Sequence, residues 1–109
     1  MVDIKIPKCR EDMKRLSDGS IVKINVNGEY VNCIYDRLNM RGITYCMFIY
    51  TKNGKIKHCG CILENIVFDN DCAKLASEYT SFVDINQASM RGIYLEQKER
   101  LENLGLWRD

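Results

Sequence analysis

The chain has 109 residues, of which 46% are hydrophobic and 28% are charged, and its formal net charge at pH 7 is +1. This length predicts a single domain over residues 1–109, and the hydrophobic fraction excludes an intrinsically disordered chain. A net charge near zero gives little general electrostatic affinity for nucleic acid.

The sequence shows neither a membrane segment nor an export signal. The longest nearly uncharged stretch, residues 42–51, has about half the length that a membrane helix needs. Residues 1–5 lack the basic start and the apolar core of a signal peptide. We therefore expect a soluble cytoplasmic protein without a membrane partner.

The N-terminal segment, residues 1–19, predicts a short charged helix. Pro7 suits a first helical turn, and Cys9, Met13 and Leu16 follow at a spacing that places them on one side. The pair Asp18-Gly19 is typical of a segment that ends such a helix.

Two Asn-Gly pairs, Asn27-Gly28 and Asn53-Gly54, lie between short runs of apolar residues. Asn and Gly both tolerate the positive φ angles of a two-residue hairpin turn, so both pairs predict a tight β-hairpin. Around them we expect strands over residues 21–26, 29–35, 43–50, 55–63 and 65–68, and a charged loop over residues 36–42.

Five short strands within residues 20–68 bury a shared apolar face best in a small antiparallel sheet. Their order, with tight hairpins and one longer loop, resembles an SH3-like barrel of the Tudor or KOW kind. That resemblance implies a partly open barrel, and a flat five-stranded meander covered by helices fits the same pattern. Gly60, inside the fourth run, suggests a bulge or a sharp bend.

The C-terminal segment, residues 69–109, predicts two helices, so the expected fold class is α+β. Asp69, Asn70 and Asp71 offer caps for the first helix, whose apolar stripe is Cys72, Leu75, Ala76, Tyr79 and Phe82. Asn86 can cap the second, whose stripe is Met90, Ile93, Tyr94, Leu101 and Leu104. Gly105 stands where a left-handed C-terminal cap would let Leu106 fold back on Leu101.

Six cysteines allow three interpretations, which are buried thiols, zinc ligands and disulfides. They are Cys9, Cys33, Cys46, Cys59, Cys61 and Cys72. Most fall inside strand patterns of a chain that we expect in the reducing cytoplasm, which favours reduced cysteine in the core. His58, Cys59 and Cys61 would be the first ligands of a zinc site, although no Cys-x-x-Cys pair accompanies them. We expect no metal and no cofactor.

No catalytic constellation is present in the sequence. His58 is the only histidine, and the neighbouring Cys59 would point to the opposite face of a strand. Gly54 and Gly60 belong to a strand pair rather than to a phosphate-binding loop before a helix. We therefore expect a protein that is not an enzyme.

Two binding functions remain. The first is a small intracellular binding protein, of the kind that phages and mobile elements use to inhibit or regulate a host protein, because its apolar residues exceed what one small sheet can cover. The same surplus allows a homo-oligomer. The candidate interface residues are Tyr79, Phe82, Ile93, Tyr94, Leu106 and Trp107.

The alternative function is binding of a nucleic acid or a small nucleotide at a basic edge of the sheet. Tyrosines near that edge would supply stacking faces. The candidate contacts are Arg37, Arg41, Lys52, Lys55, Lys57 and His58. Lysines that only protect an edge hairpin from aggregation would give the same pattern.

Overall fold

The structure is a computed structural model that describes residues 3–69 and 72–108. Eight strands within these ranges form one open sheet, accompanied by two helices. The strands are β1 Ile4–Lys5, β2 Ile21–Val26, β3 Glu29–Met40, β4 Ile43–Lys52, β5 Lys55–Ile62, β6 Val67–Asp69, β7 Cys72–Leu75 and β8 Thr80–Ile85. The helices are α1 Arg10–Arg15 and α2 Arg91–Asn103, and 3-10 turns cover Leu63–Asn65 and Ser77–Tyr79.

The predicted fold, a five-stranded sheet or SH3-like barrel followed by two C-terminal helices, is wrong. Residues 72–85 form β7, a 3-10 turn and β8, and α2 is the one helix of seven or more residues in the described ranges. The helical spacing of apolar residues in this segment was misleading, because β7 pairs with β2 and β8 pairs with β5, and these long-range pairings decide the structure of the segment. The proposed caps Asn70 and Asp71 lie outside the described residues.

Three two-residue turns connect the four central strands. Asn27-Gly28 and Asn53-Gly54 have positive φ angles at both positions, as predicted, and so does Arg41-Gly42. The third turn replaces the seven-residue loop that we expected over residues 36–42. In its place β3 continues to Met40, which pairs with Ile43.

The sheet is strongly curled. The hydrogen-bonded order of the described strands is β6-β7-β2-β3-β4-β5-β8, with β1 beside the start of β2. If the sheet were flat, the five inter-strand spacings from β7 to β8 would separate these two strands by about 24 Å. Residues 76–79 alone connect them, and such a connection reaches at most about 18 Å. The sheet therefore bends around one of its faces, here called the inner face.

The inner face holds the larger core cluster. Tyr35, Phe48 and the thiols of several cysteines lie at its centre, and α1 and the Leu63–Asn65 turn close over it. Met13 of α1 is fully buried, whereas Cys9 is exposed. The opposite face, here called the helix face, is covered by α2 through a second cluster around Ile34, Ile49, Ile56, Ile85, Tyr94 and Leu101.

Helix α2 ends as its sequence predicts. Gly105 adopts a φ angle of 72°, and its N–H donates to the carbonyl of Glu102 at 3.0 Å. The N–H of Leu106 donates to the carbonyl of Leu101 at 2.8 Å, which completes a Schellman motif and directs the C-terminal tail back over the sheet. No helix in the described ranges is both long enough and apolar enough to cross a membrane.

Gly60 marks a close approach rather than the bulge that its position suggested. The β4–β5 register runs unbroken from Tyr45–Ile62 to Lys52–Lys55. A Cβ atom at residue 60 would clash with the hydroxyl oxygen of Tyr45 and would lie 2.6 Å from its ring carbon Cζ. The missing side chain therefore makes room for the Tyr45 ring over β5.

Gly60→Ala is expected to lower the free energy of unfolding by about 1–3 kcal/mol, because the new methyl group must displace the Tyr45 ring. In a Tyr45→Ala background the same change should cost much less, and the difference is measured by a double-mutant cycle in urea. Gly92→Ala is the control, since nothing lies within 4 Å of its Cβ position in α2. That substitution should stabilise the protein by up to about 1 kcal/mol. Equal costs of Gly60→Ala in both backgrounds would contradict the steric explanation.

Candidate functional site

The sheet splits between β3 and β4 at the end that carries the two Asn-Gly turns. Pairing of these strands ends at Ile34–Ile49, beyond which β3 continues to pair with β2 and β4 continues to pair with β5. On the helix face the C-terminal tail covers the split, since the N–H of Arg108 donates to the hydroxyl of Thr51 at 3.0 Å. On the inner face the split is open.

A groove of about 390 Å³ lies at this open side, and we call it the split groove. Its apolar lining comes from Val26, Val31, Tyr50, Phe82 and Val83. Its polar lining comes from Asn27, Glu29, Lys52, Asn53, Lys55, Lys57, His58 and Asp84. A groove with apolar walls and a charged rim can hold a small ligand that carries both apolar and charged groups.

Four of the six residues predicted to bind a ligand line the split groove, namely Lys52, Lys55, Lys57 and His58, although the imidazole of His58 points to the helix face. The other two lie elsewhere. The guanidinium of Arg37 donates to the carbonyl oxygens of Lys14 and Leu16, so it fastens the end of α1 to the sheet. Arg41 occupies the β3–β4 turn, at the opposite end of these strands.

The lysines of the groove are largely neutralised by neighbouring carboxylates. The Nζ atom of Lys52 lies 2.7 Å from Oε2 of Glu29, and that of Lys57 lies 2.8 Å from Oδ1 of Asp84. Such partly exposed pairs contribute little to stability, but they reduce the positive potential that a polyanion would meet. The groove therefore suits a small ligand better than a nucleic-acid strand.

His58 has its side chain on the helix face, where Nε2 is buried without a hydrogen-bond partner in the described structure. Burial lowers the pKa of this imidazole below its usual value of 6.5, and the nearby Asp36 carboxylate opposes that shift. Asp36 itself pairs with Arg100 of α2 at 3.4 Å. His58 thus lies near the Asp36–Arg100 ion pair, which joins the sheet to α2.

His58 is expected to make stability depend on pH. Because its pKa in the folded chain is lowered, the unfolded chain binds more protons below pH 6.5, and folding stability falls as the pH drops through the lowered value. Above pH 6.5 the contribution is constant. Urea unfolding of the parent and of His58→Asn at pH 7.5, 6.5 and 5.5 measures this effect. The parent should lose more stability than the variant, and parallel losses would contradict the burial of a neutral imidazole.

The six residues predicted to contact a partner divide into two groups. Tyr94 is buried, and Leu106 and Trp107 pack against the same cluster, so these three help to hold α2 on the sheet. The rings of Tyr94 and Trp107 meet edge to face with centroids 6.3 Å apart. Tyr79, Phe82 and Ile93 are exposed, and Tyr79 and Phe82 lie on or next to β8, whereas Ile93 is on the outer side of α2.

A further apolar surface was missed from the sequence. Residues 38–45, here called the β3–β4 ribbon, extend to the tip of the hairpin. Leu38, Met40 and Ile43 are 45%, 60% and 47% exposed. Alternation in β3 and pairing of Met40 with Ile43 and of Leu38 with Tyr45 place these side chains on the helix face. The sequence shows this alternation, but the charges and turn-forming residues of 36–42 favour a loop and conceal it.

Five of the six cysteines are buried, and Cys9 is exposed. Burial raises the pKa of the Cys59 thiol to about 11, although a hydrogen bond with Tyr50 opposes that shift. At neutral pH this thiol is therefore protonated and packs as a small apolar side chain. Cys59 and Cys61 point to the inner face and His58 points to the helix face, so these three residues cannot bind one zinc ion together.

Known proteins give no further guidance to the function. Comparisons of this chain with protein-family models, with curated proteins and with solved structures find no match.

Proposed function

We propose that this chain is a small non-enzymatic binding protein that acts by occupying another protein, and that it binds with the apolar side of the β3–β4 ribbon. The observation that carries this proposal is the exposure of Leu38, Met40 and Ile43 on one side of a two-stranded extension. Contiguous exposed apolar side chains of this kind are typical of protein-binding surfaces.

The two sides of the ribbon differ in chemistry. On the apolar side, Met40 lies opposite Ile43 and Leu38 lies opposite Tyr45. On the other side, Asn39 lies opposite Thr44, whose hydroxyl donates to the amide oxygen of Asn39 at 3.1 Å. Although α2 contacts β3 through the Arg100–Asp36 pair, Leu38, Met40 and Ile43 beyond this pair remain exposed.

Burial of this surface would make a substantial contribution to the affinity for a partner. Burial of a whole Leu, Ile or Met side chain contributes about 1.5–3 kcal/mol. Because each of the three is about half exposed, covering them together would contribute roughly 3 kcal/mol, which corresponds to more than a hundredfold in affinity. Arg41 at the tip supplies a charged rim beside the apolar centre, an arrangement that protein interfaces favour.

Buried free thiols are consistent with a reducing compartment, so we place this activity in the cytoplasm. Occupation of a partner surface needs no catalytic group, which agrees with the absence of a nucleophile–base pair in the sequence. A regulator or inhibitor of a host protein, as phages and mobile elements produce, would act in this way.

Site-specific photocrosslinking in cells of the source organism tests this proposal. A benzophenone amino acid at position 40 faces the apolar side, and the same amino acid at position 39 faces the polar side of the same ribbon. We expect one discrete protein adduct from position 40 and none from position 39. Equal adducts from both positions, or none from position 40, would contradict the proposal.

A second candidate function is binding of a small phosphorylated nucleotide in the split groove. It is supported by the convergence of Lys52, Lys55 and Lys57 beside the aromatic rings of Tyr50 and Phe82. A panel of nucleoside mono-, di- and triphosphates at low salt should then raise the melting temperature of the parent, and the shift should fall with added salt and in Lys55→Ala. The absence of any shift across the panel would remove this candidate.

A further inference from the structure

We propose that β8 is a dimerisation edge, at which two copies of this chain pair as antiparallel strands about a twofold axis at Val83. The proposal concerns a surface distinct from the β3–β4 ribbon. Pairing of the two β8 strands would join the curled sheets of the two copies into one continuous sheet.

The edge of β8 lacks most of the features that normally keep a sheet edge unpaired, since its one charged residue, Asp84, is already paired with Lys57 at 2.8 Å. β8 ends the strand order and pairs with β5 alone among the described strands. It is six residues long, Thr80–Ile85, and contains no Lys, Arg, Pro or Gly. Its four central residues are exposed, with Phe82 at 41% and Val83 at 48%. Monomeric proteins usually protect such an edge with charges, proline or a covering segment.

Strand alternation shows which backbone groups of β8 are free for pairing. The two-residue turn makes Lys52–Lys55 a hydrogen-bonded pair, so alternate residues of β5 from Lys55 onward direct their backbone groups to β4. The intervening residues Ile56, His58 and Gly60 face Ile85, Val83 and Ser81 of β8. The backbone N–H and C=O groups of Thr80, Phe82 and Asp84 therefore point away from the sheet.

Thr80 is not available to a second strand. It is 9% exposed, and its hydroxyl donates to the carbonyl oxygen of Ala76 at 2.8 Å, within the turn that precedes β8. The outward backbone groups of Phe82 and Asp84 are therefore the ones available for pairing with a second strand. In antiparallel pairing about Val83, Phe82 of each copy lies opposite Asp84 of the other, and both positions present backbone donors and acceptors.

The charge and the accessibility of the β8 residues also favour the register with the axis at Val83. Val83 of one copy meets Val83 of the other on the helix face, a β-branched pair that suits neighbouring strands. On the inner face the Phe82 ring lies beside Asp84 of the other copy, whose carboxylate is already paired with Lys57 at 2.8 Å. A shift of the axis to Asp84 would place two carboxylates opposite each other, and a shift to Phe82 would require the covered residue Thr80 to pair with Asp84. The self-complementary chemistry of the edge therefore favours a second copy as its occupant.

Analytical ultracentrifugation of the full chain over micromolar to near-millimolar concentrations tests the proposal. We expect a monomer–dimer equilibrium in the parent. Val83→Lys and Val83→Glu, each alone, should be monomeric over the same range, because like charges would meet at the axis. An equimolar mixture of V83K and V83E should recover the dimer, because the two charges then attract.

Ile93→Lys and Met40→Glu are matched controls, since they place a charge on exposed apolar residues of α2 and of the ribbon. Both should dimerise as the parent does. Circular dichroism and urea midpoints show whether each variant is folded.

Phe82→Pro provides a second disruption of the edge, because proline removes an N–H that points away from β5 and leaves the pairing with β5 without a lost donor. A parent that is monomeric at every concentration, a dimer that survives V83K, a mixture that stays monomeric, or a dimer lost in M40E would each overturn the proposal.

Discussion

Phe48→Ala is expected to destabilise the protein by about 3–5 kcal/mol, because it removes a fully buried ring from the centre of the inner face and leaves a cavity. The Phe48 ring lies 5.4 Å from that of Tyr35, so the substitution also removes an aromatic contact. A small domain has only about 5–15 kcal/mol of stability in total, so this variant should be close to unfolding at room temperature.

Urea denaturation followed by circular dichroism measures that loss. Phe82→Ala is the matched control, since the same atoms are removed from a ring that is 41% exposed on β8. We expect the control to lose less than about 1 kcal/mol. Similar losses in the two variants would contradict the position of Phe48 at the centre of the core.

Leu101→Ala is expected to cost about 2–5 kcal/mol, because Leu101 is fully buried between α2 and the sheet. Its backbone carbonyl accepts the N–H of Leu106, so the same region fixes the direction of the C-terminal tail. Leu95→Ala changes a leucine of the same helix that is 45% exposed, and it should cost less than about 1 kcal/mol.

The fluorescence of Trp107, which packs edge to face on Tyr94, reports whether α2 stays docked in these variants. If the helix unfolds together with the sheet, fluorescence and circular dichroism should give the same urea midpoint. A parent in which Trp107 changes at a much lower urea concentration than the sheet would show that α2 is an independent, weakly held element, and the large cost expected for Leu101→Ala would then not appear.

The local parts of the fold were predictable because they depend on residues close in sequence. Asn27-Gly28 and Asn53-Gly54 require positive φ angles, and both form the expected hairpins. Gly105 forms the expected helix cap for the same reason. Arg41-Gly42 adopts the same turn. Arginine is not a residue type that indicates a positive φ angle, and the charged residues around it are typical of a loop.

The C-terminal strands were not predictable in the same way. Residues 72–85 contain Ala, Leu, Lys and Glu, which favour helices, and their apolar residues recur at helical spacing. What decides their structure is long-range pairing, of β7 with β2 and of β8 with β5. Tertiary pairing of this kind overrides weak local preference, and the one local sign of a strand is the set of β-branched and aromatic residues in β8, Thr80, Phe82, Val83 and Ile85.

In the candidate site, too, the features that depend on neighbouring residues were predictable, and those that depend on long-range contacts were not. Lys52, Lys55 and Lys57 come together because they flank one turn, which the sequence shows directly. Arg37 was assigned to the same edge, yet its guanidinium is held by carbonyl oxygens at the end of α1, about twenty residues earlier in the chain. The apolar ribbon was missed because its recognition depends on the hairpin that the predicted loop concealed.

The most direct test of the proposed function is a pair of affinities for the protein that position 40 crosslinks. Titration calorimetry with purified partner compares Met40→Glu with Asn39→Glu, which add the same charge on opposite sides of one ribbon. We predict that Met40→Glu weakens binding by a hundredfold or more, which is about 2.7 kcal/mol or more, and that Asn39→Glu changes it less than threefold. Equal affinities for the two variants would contradict a binding surface on the apolar side of the ribbon.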